Sequence, residues 1–393
     1  MDAKNPGMKT VKETADAWGV TKRYVNLCIE GGRIPDVVKM GNMWLIPNGT
    51  QKPARKPQPS TKFTSHDLDY VLSAITSPMP RDNPDAILDT GDERLRPMYE
   101  GYLAYLRGDF ELVKRCFRKT EGDDAVKLRV CAVAIAVAVS TGDYSLYQEI
   151  ESYCKGMILT DIGANVTAVA ELTLNTAYIG AGALTMAAGW LKDGNFSALH
   201  SQLKPEALHS RTLYLLFMKK YESVLDVAQT ALAFDEPERG ISSLSIHMRI
   251  MCAAACCALS RLDDAEGYLL DTMRDCLPHG FITPFSEAAP HYGGLLEQLL
   301  EREYPEYYDA VIERSKRTIP NWLDFHNRFT QDNITLILSM REYQIALLVI
   351  KRFPYAKIAK QYSISAGRLK NIVQDIYGKL GVSGRDELSK YIL

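Results

Sequence analysis

A chain of 393 residues, nearly half of them apolar, is long enough for two or three domains with a sizeable core. Its net charge of −2 hides an uneven distribution: residues 1–62 carry 11 Lys/Arg against 5 Asp/Glu, residues 335–393 carry 10 against 4, and residues 63–334 are left at −14. Basic ends around an acidic centre put the attraction for phosphate at the termini, and eight cysteines without a spaced framework argue against a disulfide scaffold and for free thiols in a reducing compartment.

The first seven residues hold no apolar leader, so a cytoplasmic chain is expected. Thr10 and Glu13 have the spacing of a capping box, in which hydroxyl and carboxylate satisfy the free N–H groups at a helix start. Ala15, Gly19 and Val25 then fall where two helices joined by a tight turn need a small residue, a turn and a core contact. Thr21 can cap a second helix over residues 22–30, with Val25, Cys28 and Ile29 facing inward and Lys22, Arg23 and Asn26 facing out. Beyond Gly31, residues 34–47 alternate around Gly41 and Asn42 and predict a β-hairpin.

With its ending of Gly41, Trp44, Ile46 and Pro47, this stretch of about forty residues resembles the excisionase-like branch of MerR-type winged helix-turn-helix domains. The resemblance implies that Lys22, Arg23, Tyr24 and Asn26 meet the major groove, and that Arg33 and Lys39 hold phosphates near the wing. Trp44 either packs under the wing or touches the DNA backbone. The module is assigned to residues 1–50. Residues 51–64 follow as a basic linker, since four prolines between 47 and 60 permit neither helix nor central strand.

Residues 65–330 read as helical. Gly108, Asp109 and Phe110 recur 34 residues later as Gly142, Asp143 and Tyr144, each time between an apolar and an amphipathic helix. Helix pairs at that period resemble tetratricopeptide repeats. Residues 214–232 and 256–273 keep the cadence without the glycine. Such an array offers a concave face for a small-molecule or protein effector. The uncharged stretch 172–191 is long enough for a membrane span, but its Asn, Thr and Gly content predicts buried soluble helices and no membrane association. Cys252 and Cys256 share a helical face in an Ala-rich run, where small packing residues are expected rather than a metal or redox pair.

Residues 331–393 turn basic again. Ser339 and Glu342 form another capping-box pattern, Pro354 suits the first turn of a second helix over residues 355–362, and Ser365 can cap a third. Leu369, Ile372, Val373, Ile376, Tyr377 and Leu380 make one apolar stripe along that third helix. The opposite face presents Gly367, Asn371, Gln374 and Gly378, flanked by Arg368 and Lys370, as a helix lying in the major groove would. Residues 338–388 resemble the LuxR-type DNA-binding domain without a gap, through Leu338, Arg341, Glu342, Ile358, Ala359, Ile376, Lys379, Gly381, Arg385 and Glu387 among others. The resemblance implies a recognition helix on which Lys370 contacts DNA, with Lys357, Arg368, Asn371 and Gln374 beside it, and a homodimer reading paired half-sites of double-stranded DNA. Arg368 replaces the family's usual Thr, Ile372 its usual His, and Arg352 its usual glycine between the first two helices.

The chain has no Gly-rich phosphate loop, no His-Glu-x-x-His and no Gly-x-Ser-x-Gly, so neither an enzyme nor a cofactor is expected. The expectation is a mainly α protein with DNA readers at both ends of a tetratricopeptide-like array, acting as a transcription regulator. The competing expectation is an architectural or recombination accessory protein of excisionase type that responds to no signal.

Overall fold

The computed structural model describes residues 7–20, 22–30, 34–40, 43–53, 63–74, 78–89, 92–160, 162–235, 237–292, 294–330, 338, 340–362, 364–380 and 382–389. The chain is mainly helical and divides into two compact units, residues 1–57 and 58–393.

In the first unit β1 (Met8–Thr10) leads directly into α1 (Val11–Trp18). The capping box forms as expected: Glu13 N–H donates to Thr10 Oγ1 at 3.2 Å and Thr10 N–H to Glu13 Oε2 at 2.8 Å. Gly19, at φ +63°, closes the helix, and the chain turns into α2 (Lys22–Glu30). The strands β2 (Val38–Met40) and β3 (Met43–Pro47) pair antiparallel as the expected hairpin. The three residues of β1 add a third strand that the sequence pattern does not announce, pairing Thr10 with Leu45 and Met8 with Pro47. Ala15, Val25, Cys28, Ile29, Ile34 and Ile46 fill the small core, with Trp44 half-buried against it. Residues 54–62, most of the expected linker, lie outside the described residues, as does Thr21.

The second unit begins with α3 (Ser65–Ser73) and continues through helix pairs. These are α4 (Arg96–Arg107) with α5 (Phe110–Lys119), and α6 (Asp124–Thr141) with α7 (Tyr144–Ile158). Next, α8 (Ala164–Gly180) is followed by the short α9 (Gly189–Asp193). Then come α10 (Lys204–Phe217) with α11 (Tyr221–Leu232), and α12 (Ser243–Ala258) with α13 (Leu262–Cys276). Two short helices, α14 (Thr283–Ala288) and α15 (Leu295–Glu303), lead to α16 (Pro305–Thr330). The uncharged run 172–191 is broken at Gly180, and among the described residues no helix is long and apolar enough to cross a membrane.

One backbone device turns the chain at each pair. A residue in the left-handed region stops the helix, and the next N–H reaches back five residues to a carbonyl that the helix end leaves unpaired. Asp109 N–H donates to Ala104 O at 2.8 Å, Asp143 to Ala138 at 2.9 Å, Ala183 to Tyr178 at 2.7 Å, Lys220 to Leu215 at 2.9 Å and Arg261 to Cys256 at 2.9 Å. Gly108, Gly142 and Gly182 supply the positive φ in the first three turns, whereas Lys219 (φ +58°) and Ser260 (φ +64°) supply it in the last two. Asp109 and Asp143 then cap the following helices through Leu112 and Leu146 N–H. The 34-residue spacing therefore does not persist: the left-handed residues sit at 108, 142, 182, 219 and 260 because the helix lengths differ.

The last helices are α17 (Met340–Ile350), α18 (Tyr355–Gln361), α19 (Ala366–Leu380) and α20 (Arg385–Leu388). They belong to the same compact unit as the array but keep their own apolar cluster, built on Leu338, Ile345, Val349, Leu369, Val373 and Ile376. Pro354 stands at the cap of α18 rather than in its first turn, and Ser339 lies outside the described residues.

A side chain in the left-handed region costs about 1 kcal/mol relative to glycine. Ser260→Gly should therefore raise the thermal midpoint of the full chain, the stability gained being about 1 kcal/mol at most. Gly142→Ala should lower it by more than that amount, because the added Cβ would lie 2.8 Å from Asn321 Oδ1. Scanning calorimetry of both variants checks the pair, and opposite signs are expected.

Candidate nucleic-acid interface and cavities

The two-sided pattern expected of residues 366–380 is present on α19. Leu369, Val373 and Ile376 are buried, Ile372, Tyr377 and Leu380 half-buried, and Arg368, Lys370, Asn371 and Gln374 exposed together with Gly367 and Gly378. Ser365 caps the helix, its Oγ accepting from Arg368 N–H at 3.2 Å. The helix is held by its C-terminal half: Lys379 Nζ donates to both Glu342 oxygens at 2.7 and 2.8 Å, which fastens α19 to α17 and commits that lysine within the bundle. Arg341 secures α18 in the same way, donating to Tyr362 O at 3.0 Å while its guanidinium lies over the Tyr362 ring. Lys357 is exposed on α18. Arg352, standing where the resemblance implies glycine, takes φ +60°, and the following Phe353 N–H reaches back to Leu348 O at 3.1 Å. The turn thus keeps a glycine-like conformation without glycine.

In the first unit Lys22 and Asn26 are exposed on α2, and Arg23 and Tyr24 lie on the same helix, their side chains outside the described ones. Lys39 is exposed on β2 with its Nζ 5.4 Å from the centroid of the Trp44 ring, so the wing tryptophan carries a cation on its face as well as packing on the core. Arg33 lies outside the described residues.

Two cavities open inside the second unit, and no motif in the sequence announces either. The larger, about 410 Å³, is lined from α4, α6, α8, α10 and α12 and from residues 234–244. The smaller, about 240 Å³, lies beside it and shares Tyr105, Ala136, Thr176, His209 and His247 with it. The far wall of the smaller cavity is formed by Trp322 of α16 and by Tyr343, Leu347 and Lys351 at α17. Their polar lining is unusual for a helical core. Arg129 is ion-paired to Glu206, Nη1 donating to Oε2 at 3.0 Å. Glu287 accepts from Tyr105 Oη and from Ser140 Oγ, each at 2.6 Å, and burial raises its carboxyl above the usual range. Lys351 Nζ donates to Pro290 O at 2.7 Å, and burial pushes it down to about 7.

His209 stacks on His247 with ring centroids 4.1 Å apart. Elsewhere His279 leans on Phe281, and His291 meets Phe217 edge-on. The eight cysteines are buried and free, and among the described residues no three His, Cys, Asp or Glu side chains are placed to hold a metal.

No protein-family model, curated protein or solved structure matches this chain.

Desolvation lowers His209 to about 4 and carries His247 and His291 well below the ordinary imidazole value, Glu206 opposing it weakly at His247. As pH falls through about 6.5 the unfolded chain takes up protons that these folded rings refuse. The stability they permit at neutral pH is therefore lost toward pH 4, at a slope of up to about 1.4 kcal/mol per pH unit for each ring. The thermal midpoint should drop steadily from pH 7 to pH 5, and His247→Gln should flatten that drop. An unchanged slope in the variant would show that the ring is not held neutral.

Proposed function

We propose that this chain is a sequence-specific DNA-binding transcription regulator of LuxR type whose helical array, tetratricopeptide-like in its pairing, senses a ligand or partner. The observation that carries the reading is the two-sided α19. Cations and amides that match base edges and phosphates stand exposed over a stripe that anchors the helix in its own bundle. In this reading Lys370 reads a base, Arg368 and Lys357 hold phosphates, and Asn371 and Gln374 supply amide contacts. The first unit is a winged reader of MerR or excisionase type that uses Lys22, Arg23, Tyr24 and Asn26 on α2, with Arg33 and Lys39 toward the wing. The chain works as a homodimer, since LuxR-type readers meet paired half-sites.

The cavities supply the sensing half of the reading. A ligand that fills the array is in contact, through one continuous set of walls, with Trp322, Tyr343 and Leu347, the last two on the first helix of the C-terminal bundle. Occupancy then biases the position or pairing of the readers, provided the ligand binds one arrangement better than another. The accessory-protein alternative gives these cavities no use.

Mapping of bound genomic DNA, followed by fluorescence anisotropy on the recovered sites, tests the reading. Lys370→Ala should weaken specific binding by about 1–3 kcal/mol, and Lys357→Ala should lower the slope of log K against log salt by about 1 on any sequence. If the wild-type chain prefers mapped sites no more than random DNA, or no bound promoter changes its output when the protein is present, the reading fails.

A further inference from the structure

The larger cavity has three properties that together specify what fits in it. The first is hydrogen-bonding deficit. Tyr102 and Arg129 line it; Arg129 Nε is buried without a hydrogen-bond partner, and Tyr102 Oη, equally buried, has the Ser243 hydroxyl beside it as a donor, which leaves the phenol's own hydrogen without an acceptor. Two donors left unpaired in a buried wall are costly, and the deficit is removed by a ligand that brings acceptors. The second is charge balance. The ionised residues of the wall are Arg129 and Arg239 against Glu206 and Asp235. Arg129 is held by Glu206, and Asp235 accepts the Ser242 hydroxyl at 2.7 Å. No surplus charge remains to compensate a charged ligand removed from water. The third is shape and surface. Tyr99, Tyr102, Tyr105, the stacked His209 and His247, and Phe234 give the lining its aromatic character, and Phe234 is 81 % exposed. Burial keeps both imidazoles uncharged, which leaves the stack a flat neutral surface.

We propose that the larger cavity binds an uncharged, flat aromatic molecule bearing a carbonyl or comparable acceptor, which takes the hydrogens of Tyr102 Oη and Arg129 Nε. Its volume, about 410 Å³, falls among those of ordinary small-molecule sites. Calling this molecule the effector rests on the reading of the array as the sensing part of a regulator. The binding assignment itself stands on the cavity alone.

Prodan, an uncharged propionyl-naphthalene fluorophore whose emission reports both polarity and hydrogen bonding at its carbonyl, is the probe, used with the full chain. One equivalent should bind with a blue-shifted emission, while the similarly sized anion anilinonaphthalene sulfonate should not displace it. Ala136→Leu, which narrows the space shared by both cavities, should abolish binding. Tyr102→Phe should weaken it about tenfold and shift the emission further to the blue, since the carbonyl loses a donor. The unliganded Tyr102→Phe chain should melt close to wild type, because it loses a hydroxyl whose hydrogen has no acceptor and whose single neighbour is the Ser243 hydroxyl, and this separates a lost ligand contact from damaged packing.

Any of three results overturns the assignment: no saturable prodan binding, displacement by the sulfonate at equal concentration, or a Tyr102→Phe chain with unchanged affinity and emission. A chain that binds prodan as described but shows no preference for any DNA leaves the cavity assigned and removes the regulator. A chain that binds its mapped DNA sites but not prodan does the reverse.

Discussion

Helix α16 is the element on which both cores of the second unit depend. Its apolar side chains are divided between them: Val311, Ile312 and Phe325 are buried with the array, Leu323 with the C-terminal bundle, and Trp322 packs against both. Its polar side chains finish other helices. Asn321 Nδ2 donates to Ser140 O at 2.9 Å near the end of α6, the Trp322 indole N–H donates to Gly180 O at the end of α8, and His326 Nδ1 lies 2.8 Å from Ala181 O. Terminal carbonyls of array helices, which would otherwise lack a partner, are thus satisfied by the helix that also supports the C-terminal bundle. Displacing α16 would expose apolar surface in two clusters and take the donors from the terminal carbonyls of two helices at once. Motion at this junction is expected between discrete packings rather than by continuous drift.

That coupling gives the cavities their meaning. Helical cores pack to the density of organic crystals, and a void lined by unpaired donors and a desolvated His pair lowers stability. The surrounding array tolerates it because its helix pairs are otherwise closed by strong local turns and filled by small residues, Ala132, Ala136 and Ala254 among those near the cavities. Where Ala136 faces both cavities, a larger apolar residue would have improved packing. Trp322 and Tyr343 wall the smaller cavity, and the larger reaches it only through the lining they share at Tyr105, Ala136, Thr176, His209 and His247.

What could be read from the sequence follows the range of the interactions involved. The capping box of Thr10 and Glu13, the Asp109 and Asp143 caps and the stripe from Leu369 to Leu380 are fixed by residues within a few turns of each other, and each appears in the structure as its spacing implies. Strand β1 was not legible, because three residues become a strand only by pairing with Leu45, Ile46 and Pro47. The turns at Lys219 and Ser260 hide a glycine-like conformation under side chains that do not advertise it. The cavities are further still from view, since His209 meets His247, and Arg129 meets Glu206, only after three helices have packed. The residues of the α19 face were therefore identifiable one by one, whereas the sensing site had no local pattern to find.

Charge segregation completes the division of labour. An array at −14 repels the DNA backbone, so a chain with basic ends of +6 each gains nothing from lying its centre along a duplex. The α19 face escapes this repulsion by being presented outward with Arg368 and Lys370, while the nearby cations of the same bundle are drawn inward: Lys379 to Glu342, Lys351 to the Pro290 carbonyl. Arg368 and Lys370 thus stay exposed on α19, whereas Lys351 and Lys379 are committed to partners within the molecule. A bundle with cations on every side would bind DNA in many orientations and could not transmit a change in the array as a change in register. On the regulator reading proposed above, the commitment of Lys351 and Lys379 to partners within the molecule restricts the orientations in which the bundle would meet a duplex.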